Sequence, residues 1–333
     1  MRKIKFNIAE WKEKIKNGAD INKPDETGRT ALELAILADD IDAVKFCIVN
    51  GADVNLNNKA MFLAADYSKK PEIIEMLVKS GADIEAKCKD GMTPLMYAVL
   101  GFHEDNYAVV KKMIELGANV NAKDDRGFSV LFTSLAPSIK DNQKIKLLIQ
   151  SGADVNATYN DNETPLFWAH GCNADVIKTF IDAGADVNAK NNCGETAFTA
   201  FTEIIRCGVT ADVFNVLINA GADINIKDND GRTPLCYAAR YCRNPNTIKA
   251  LIKHGADINA KDDEGRTPLF YAAYGNTNPK VIEALIKCGA DVNICDNTGK
   301  TALWYTYKNY RARKILLHYK EQINRIDKRK IIK

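Results

Sequence analysis

The chain has 333 residues, 46% of them hydrophobic and 27% charged, with a net charge of +3. That composition is ordinary for soluble globular protein; no apolar run approaches the ~18 residues of a membrane span, and Met1–Asp20 lacks the apolar stretch of ~7 to 15 residues in a secretory signal, which points to an uncleaved cytoplasmic protein. Nine scattered cysteines, an odd number without Cys-x-x-Cys spacing, point to free thiols in a reducing compartment.

Residues 6–17 (FNIAEWKEKIKN) place Ile8, Trp11 and Ile15 among lysines, the pattern of an amphipathic helix. Directly after it stands Gly18, the first of nine Gly-Ala-Asp tripeptides (Gly-Ala-Asn once); the others begin at Gly51, Gly81, Gly117, Gly152, Gly184, Gly221, Gly255 and Gly289. A unit of about 33 residues cannot bury a core alone and must stack on its neighbours. No Pro/Gly/Ser-rich linker interrupts the period, so residues 1–333 read as one array. Its parts are a cap helix over 1–17, repeats over 18–290, a last repeat over 291–319 and a basic tail over 320–333.

In eight of nine units, 12 positions separate the repeated glycine from the Thr or Ser that opens the next helix. That segment, as in GADINAKDDEGRT from Gly255, has short polar residues and a second glycine, the chemistry of a hairpin-like finger. A short helix follows, opened in TPLMYA, TPLFWA, TPLCYA and TPLFYA by Thr as N-cap and Pro at the first helical position. A longer second helix comes next. In Pro279–Cys288, Asn278 caps, Val281, Ile282, Leu285 and Ile286 form the apolar face, and Gly289 takes the left-handed stop.

The second unit departs from the pattern. Only eight positions separate Gly51 from Lys59, so its finger is shortened or missing and a notch should open between the first and third fingers. Other length changes fall in inter-helix turns, around His103–Asn106, Pro137–Asn142 and Arg206–Asp212. At the far end RKILLHYKEQIN aligns with IEALIKCGADVN, and Lys320-Glu321-Gln322 replaces the tripeptide. Residues 308–333 carry ten Lys/Arg against two acidic residues.

The TPLxxA and GADVN motifs, recurring in fixed register over nearly the whole chain, closely resemble the ankyrin repeat family. The resemblance implies an all-α repeat solenoid of helix-turn-helix units with projecting β-hairpin fingers, curved, with a concave face that binds other proteins. The family's histidine after TPL is replaced here by Glu33, Met96, Phe132, Phe167, Thr199, Cys236, Phe270 and Trp304, so apolar stacking must hold that ladder. At the next position Tyr97, Trp168, Tyr237, Tyr271 and Tyr305 stand where the family usually has leucine; they are expected to pack in the core with polar tips reaching water.

The family's variable finger position maps to Arg29, Met92, Phe128, Glu163, Glu195, Arg232, Arg266 and Lys300, sorted into apolar, acidic and basic runs. Arg240, Tyr241, Tyr274 and Lys308 fall beside the basic rungs, and Leu100 and Phe102 beside the apolar ones. Arg and aromatic residues dominate binding energy at interfaces. The candidate partner-binding residues are therefore Arg232, Tyr241, Arg266, Tyr274 and Lys300 for an acidic partner and Met92 and Phe128 for an apolar contact, although Asp230, Asp263 and Glu264 would partly neutralise the arginines.

No His-Glu-x-x-His, GxSxG or P-loop pattern occurs. His103, His170, His254 and His318 sit in unrelated contexts, and His254 and Cys288 are a repeat apart, too far for shared Zn ligation. The sequence thus predicts a monomeric scaffold or adaptor that is not an enzyme and uses no cofactor or metal. A rival reading gives the basic C-terminus, Arg311, Arg313, Lys314, Lys320, Arg325, Lys328, Arg329, Lys330 and Lys333, to nucleic acid or an anionic membrane; the interleaved Ile323, Ile326, Ile331 and Ile332 suit a docking helix.

Overall fold

The computed structural model describes residues 6–101, 106–136, 141–203 and 211–331, without the side chains of 203, 211 and 323–331. It divides into two compact units, Met1–Ala157 and Thr158–Lys333. In the first, helix Ile8–Lys16 precedes four helix pairs: Ala31–Leu37 with Ile41–Val49, Lys59–Tyr67 with Pro71–Lys79, Pro94–Leu100 with Tyr107–Glu115, and Val130–Ser134 with Asn142–Gln150. The second unit holds Pro165–Trp168 with Ala174–Asp182, Ala197–Glu203 with Ala211–Asn219, Pro234–Tyr241 with Pro245–Lys253, and Pro268–Gly275 with Pro279–Lys287. A 3-10 helix, Ala302–Lys308, and the long Tyr310–Ile331 complete it. Within each unit, first helices pack on first helices and second on second. The predicted turns at 103–105, 137–140 and 206–210, together with Phe102, His103 and Cys207, lie outside the described residues.

Leucine fills the core at the third position of the TPL motif. Leu95, Leu166, Leu235 and Leu269 are wholly buried, as are Ile73, Ile74, Leu77, Ile248 and Leu285 of second helices. Each such side chain contributes about 1.5–3 kcal/mol. At the position of the missing histidine, Met96, Phe132, Thr199, Cys236 and Phe270 are buried as apolar stacking requires, whereas Trp304 is 54% exposed.

Every letter of Gly-Ala-Asp-x-Asn has a backbone task. At Gly255, φ is +98°, and the Gly255 and Ala256 N–H groups donate to the Ile252 and Leu251 carbonyls at 3.0 Å each, a Schellman stop. Asp257 Oδ1 then accepts from the Asn259 N–H (2.9 Å), closing a local turn. Asn225, one repeat earlier, donates to the Gly255 carbonyl (3.0 Å) and accepts from the Asp257 N–H (2.8 Å). The asparagine is thus a bracket between consecutive repeats, repeated at Asn22, Asn55, Asn121 and Asn188.

The fingers carry isolated antiparallel bridges, Lys123 with Ser129, Tyr159 with Glu163 and Cys295 with Thr301, rather than paired strands among the described residues. They are too short for a ladder and are closed by single backbone bonds, such as Asp262 N–H to the Arg266 carbonyl (3.0 Å), or one reciprocal pair, and by side-chain oxygen atoms. The motif threonines take extended N-cap backbone, but the side-chain oxygen meets the third helical N–H only at Thr30, Thr93 and Ser129 among the described caps of this type. The truncated second finger is a 3-10 turn, Leu56–Asn58, in which Asn57 and Asn58 hold φ of 54° and 55°, a left-handed region that asparagine tolerates. Tyr310–Ile331 runs unbroken through Lys320.

Candidate protein-binding face

The basic rungs are built from the finger outward. Seven residues after the repeated glycine, Asp228 Oδ1 accepts from the N–H groups of Asp230 and Arg232 at 2.9 and 2.8 Å, shaping the turn. Its Oδ2 accepts from Arg232 Nε (2.7 Å) and from the Tyr237 hydroxyl (2.6 Å). The eighth repeat copies the arrangement: Asp262 accepts from Arg266 Nε (2.9 Å) and from the Tyr271 hydroxyl. In the ninth, Asp296 takes the Tyr305 hydroxyl (2.6 Å), with Lys300 in place of arginine.

Tyr237 and Tyr271 therefore do not extend their tips to water, whereas Tyr97, Trp168 and Tyr305 are half-buried. Tyr237 and Tyr271 are 7% and 8% exposed, and a buried hydroxyl needs a partner, which the finger carboxylate supplies. Burial first, then the Asp228 and Glu195 carboxylates, push the Tyr237 hydroxyl above its ordinary pKa, and burial with Asp262 does the same to Tyr271. Burial opposes the charge on Arg232 and Arg266 but is outweighed by their carboxylates, so both pKa values are raised. The signal was in the sequence: an Asp precedes a Tyr by nine positions in three successive repeats.

This changes the standing of the predicted anchors. Arg232 is paired to Asp228 and to Asp230 (2.5 Å) and lies over the Tyr237 ring at 5.2 Å, so its charge is largely answered within the chain. Arg266 is likewise paired to Asp262 and Glu264. Glu163 accepts from Trp168 Nε1 (2.7 Å), and burial first raises its pKa, aided by the Asp161 and Glu195 charges. Arg240 lies over both the Tyr241 and Tyr274 rings, at 5.1 and 5.7 Å, and Lys300 Nζ stands 3.7 Å from the Trp304 ring centre.

The open surface beside these rungs is aromatic. Tyr274 is 49% exposed, Trp304 54% and Tyr307 60%, and all three line a cavity of about 770 Å³ with Tyr305 and Arg313. A second cavity of about 370 Å³, lined by Arg240, Arg266 and Tyr271 among others, shares Tyr274 and Tyr305 with it. Trp304 and Tyr307 were not singled out from sequence as contacts. Trp304, Tyr305, Tyr307 and Tyr310 fall within seven residues, more aromatic surface than one helical stripe can bury.

In the first unit, Met92 and Phe128 are half-buried. The Phe128 ring packs 5.5 Å from that of Phe132, with the Arg126 guanidinium 5.9 Å away, so much of its surface is spent on its own repeat. Among the described residues no cluster of three His, Cys, Asp or Glu is arranged to hold a metal, and no helix is long and apolar enough to cross a membrane. The side chains of Arg325, Lys328, Arg329, Lys330, Lys333 and of Ile323, Ile326, Ile331 and Ile332 lie outside those described.

The stack of helix pairs, the glycine stops and the asparagine brackets meet an independent finding: a family model of three consecutive ankyrin repeats matches in overlapping windows from 5–88 through 134–227 to 244–327. The chain belongs to the ankyrin-repeat family. Ankyrin repeats are a general protein–protein interaction module, and in general a non-catalytic one. Among curated proteins the chain is similar to human neurogenic locus notch homolog protein 1, 34% identical over 164 residues, which cover 46% of this chain and 6% of that protein. The zebrafish (Danio rerio) counterpart is 33% identical over 158 residues, again 46% and 6%. Ankyrin repeat and SOCS box protein 6 of Pongo abelii is 32% identical over 124 residues, 34% of this chain and 29% of that protein. The ankyrin similarity thus spans only a small part of each relative.

Proposed function

We propose that this ankyrin array is a scaffold or adaptor that binds a partner protein through the finger-side face of its last three repeats. Exposed Tyr274, Trp304 and Tyr307 are the anchors and Lys300, Arg240 and Arg313 the flanking cations. The observation that carries the reading is the exposed aromatic cluster lining one cavity beside cations. Interface hot spots concentrate in Trp, Tyr and Arg, and truncating one costs about 2 kcal/mol or more of binding. Arg232 and Arg266 act mainly by holding the fingers that present this face, and Tyr241 supports Arg240 from one side. A fitting partner offers an apolar side chain for the cavity and carboxylates for the cations.

Quantitative affinity capture from lysate, nuclease-treated, tests this with wild type, Tyr274→Ala/Trp304→Ala, Lys300→Glu and a chain ending at Tyr319. Retention of one protein by wild type and by the shortened chain, with loss in the aromatic double variant at unchanged circular dichroism, supports the face. If capture instead requires residues 320–333 or nuclease-sensitive material, the basic C-terminus is the binding element and the aromatic face is not.

A further inference from the structure

Adjacent fingers are stitched tip to tip by a backbone bond in fixed register. The carbonyl nine positions after one repeated glycine accepts from the N–H eight positions after the next: Asp90 from Asp125 (3.2 Å), Cys193 from Asn229 (2.9 Å), Asp230 from Asp263 (3.1 Å) and Glu264 from Asn297 (2.9 Å). On the first and third fingers the same register falls on the Thr27 carbonyl and the Lys89 N–H. The second finger, which should lie between them, is only the turn at Leu56–Asn58. Neither group bonds to another backbone group among the described residues, and both residues line the cavity of about 580 Å³ that the missing finger leaves.

That notch is basic. Arg29, Lys59, Lys87 and Lys89 line it and are exposed. The carboxylate among the lining residues is Glu33, buried, with Lys59 Nζ 3.9 Å away. Lys87 Nζ reaches the Lys123 carbonyl at 3.4 Å. Asp25, just outside, spends its Oδ1 on the Thr27 hydroxyl and on the N–H groups of Thr27 and Arg29. Half-buried Phe62 and Leu63 supply an apolar floor.

We infer that the notch accepts an extended acidic segment of a partner protein as a replacement finger. A backbone N–H of the segment donates to the Thr27 carbonyl, and a backbone carbonyl accepts from the Lys89 N–H. Flanking carboxylates face Arg29, Lys59 and Lys89, and an apolar side chain rests on Phe62 and Leu63. Main-chain pairing with side-chain pockets on alternate positions is how strand addition gives affinity and specificity, and carboxylate partners make the stronger, charge-assisted hydrogen bonds. A polypeptide is favoured over a free anion or a nucleic acid because only it brings an N–H and a carbonyl along one extended backbone.

Fluorescence anisotropy with a labelled octapeptide pool, Asp or Glu alternating with Leu, Ile, Val or Phe, tests the site on the full chain. A matched pool with Lys for the acidic residues, inorganic phosphate and single-stranded DNA serve as the other arms. Two variants are compared: Arg29→Gln/Lys89→Gln, which leaves the backbone untouched, and a finger-restored chain in which the sequence of Lys261–Arg266 replaces Asn57–Asn58. The acidic pool should bind at least about ten-fold tighter than the basic pool, and each variant should lose about ten-fold. A Trp304→Ala variant should bind the pool unchanged. No preference for the acidic pool, equal displacement by phosphate or DNA, or undiminished binding to a folded finger-restored chain would each overturn the assignment; the last would place the attraction elsewhere on the surface.

Discussion

In the seventh to ninth repeats, Asp228, Asp262 and Asp296 each gather two backbone N–H groups and a tyrosine hydroxyl, while Asn229, Asp263 and Asn297 tie each finger to the one before. The second repeat has no such carboxylate and no tip, and its neighbours' matching residues, Thr27 and Lys89, line a cavity instead. In those three repeats a finger is therefore held by one buried carboxylate and by its neighbours. Where both are cut away, the same backbone chemistry is left available to a partner.

Removing the carboxylate should have the largest effect. Asp262→Ala strands the Tyr271 hydroxyl, Arg266 Nε and two N–H groups, and should cost about 3–4 kcal/mol in urea unfolding; a loss below about 1 kcal/mol would show the triad to be incidental. Gly265→Ala comes next. Its φ is +79°, and an added Cβ would lie 2.5 Å from Asn297 Oδ1 and 3.0 Å from Asn297 N, whereas Gly299 at +76° has nothing within 4 Å. The first substitution should cost about 2–3 kcal/mol and the second about 1 kcal/mol; equal losses would mean that finger contact adds nothing to backbone strain.

Acid sharpens the comparison further. Burial works to raise the Asp296 pKa, but the Tyr305 hydroxyl, the Lys300 and Thr298 N–H groups and the Thr298 hydroxyl outweigh it and hold it below the usual carboxylate range. Between its folded and unfolded pKa values the unfolded chain binds more protons, so stability rises with pH there. The contribution is complete above the unfolded value of about 4 and is lost as pH falls through the lower folded value. The Tm gap between wild type and Tyr305→Phe should therefore narrow from pH 7 to pH 2, and a constant gap would remove Asp296 from the account.

The smallest effect is a gain. The third finger has Cys88 where the first, fourth, seventh, eighth and ninth have Asp, with Tyr97 nine positions on. Cys88→Asp should give the Asp90 and Met92 N–H groups and the Tyr97 hydroxyl a charged acceptor, stabilising the chain by about 0.5–1 kcal/mol. A shift in urea midpoint at constant slope is the readout.

The helix pairs, their stops and the notch were legible because each depends on local signals. Thr-Pro opens a helix, Gly in the left-handed region closes one, and a count of eight instead of 12 shortens a finger. The candidate site was legible only in part. The sequence lets Asp230, Asp263 and Glu264 be expected to neutralise Arg232 and Arg266 in part; it does not reveal Asp228 and Asp262, four residues before them, because sequence spacing does not show which acid a guanidinium will reach. Tyr274 and Lys300 do border open cavity or aromatic surface, while Phe128 turns toward Phe132.

Local order is thus a property of the sequence alone: the repeat, its register, the caps and the missing finger follow from short-range backbone preferences. Tertiary structure decided which polar groups satisfy one another across repeats. Only stacking sets the Asn225 amide against Gly255, the Tyr237 hydroxyl against Glu195 and the Gly265 backbone against Asn297. It also decided which aromatics remain in solvent, since burial depends on what the next repeat places over them, and over Trp304 and Tyr307 much of the surface stays open.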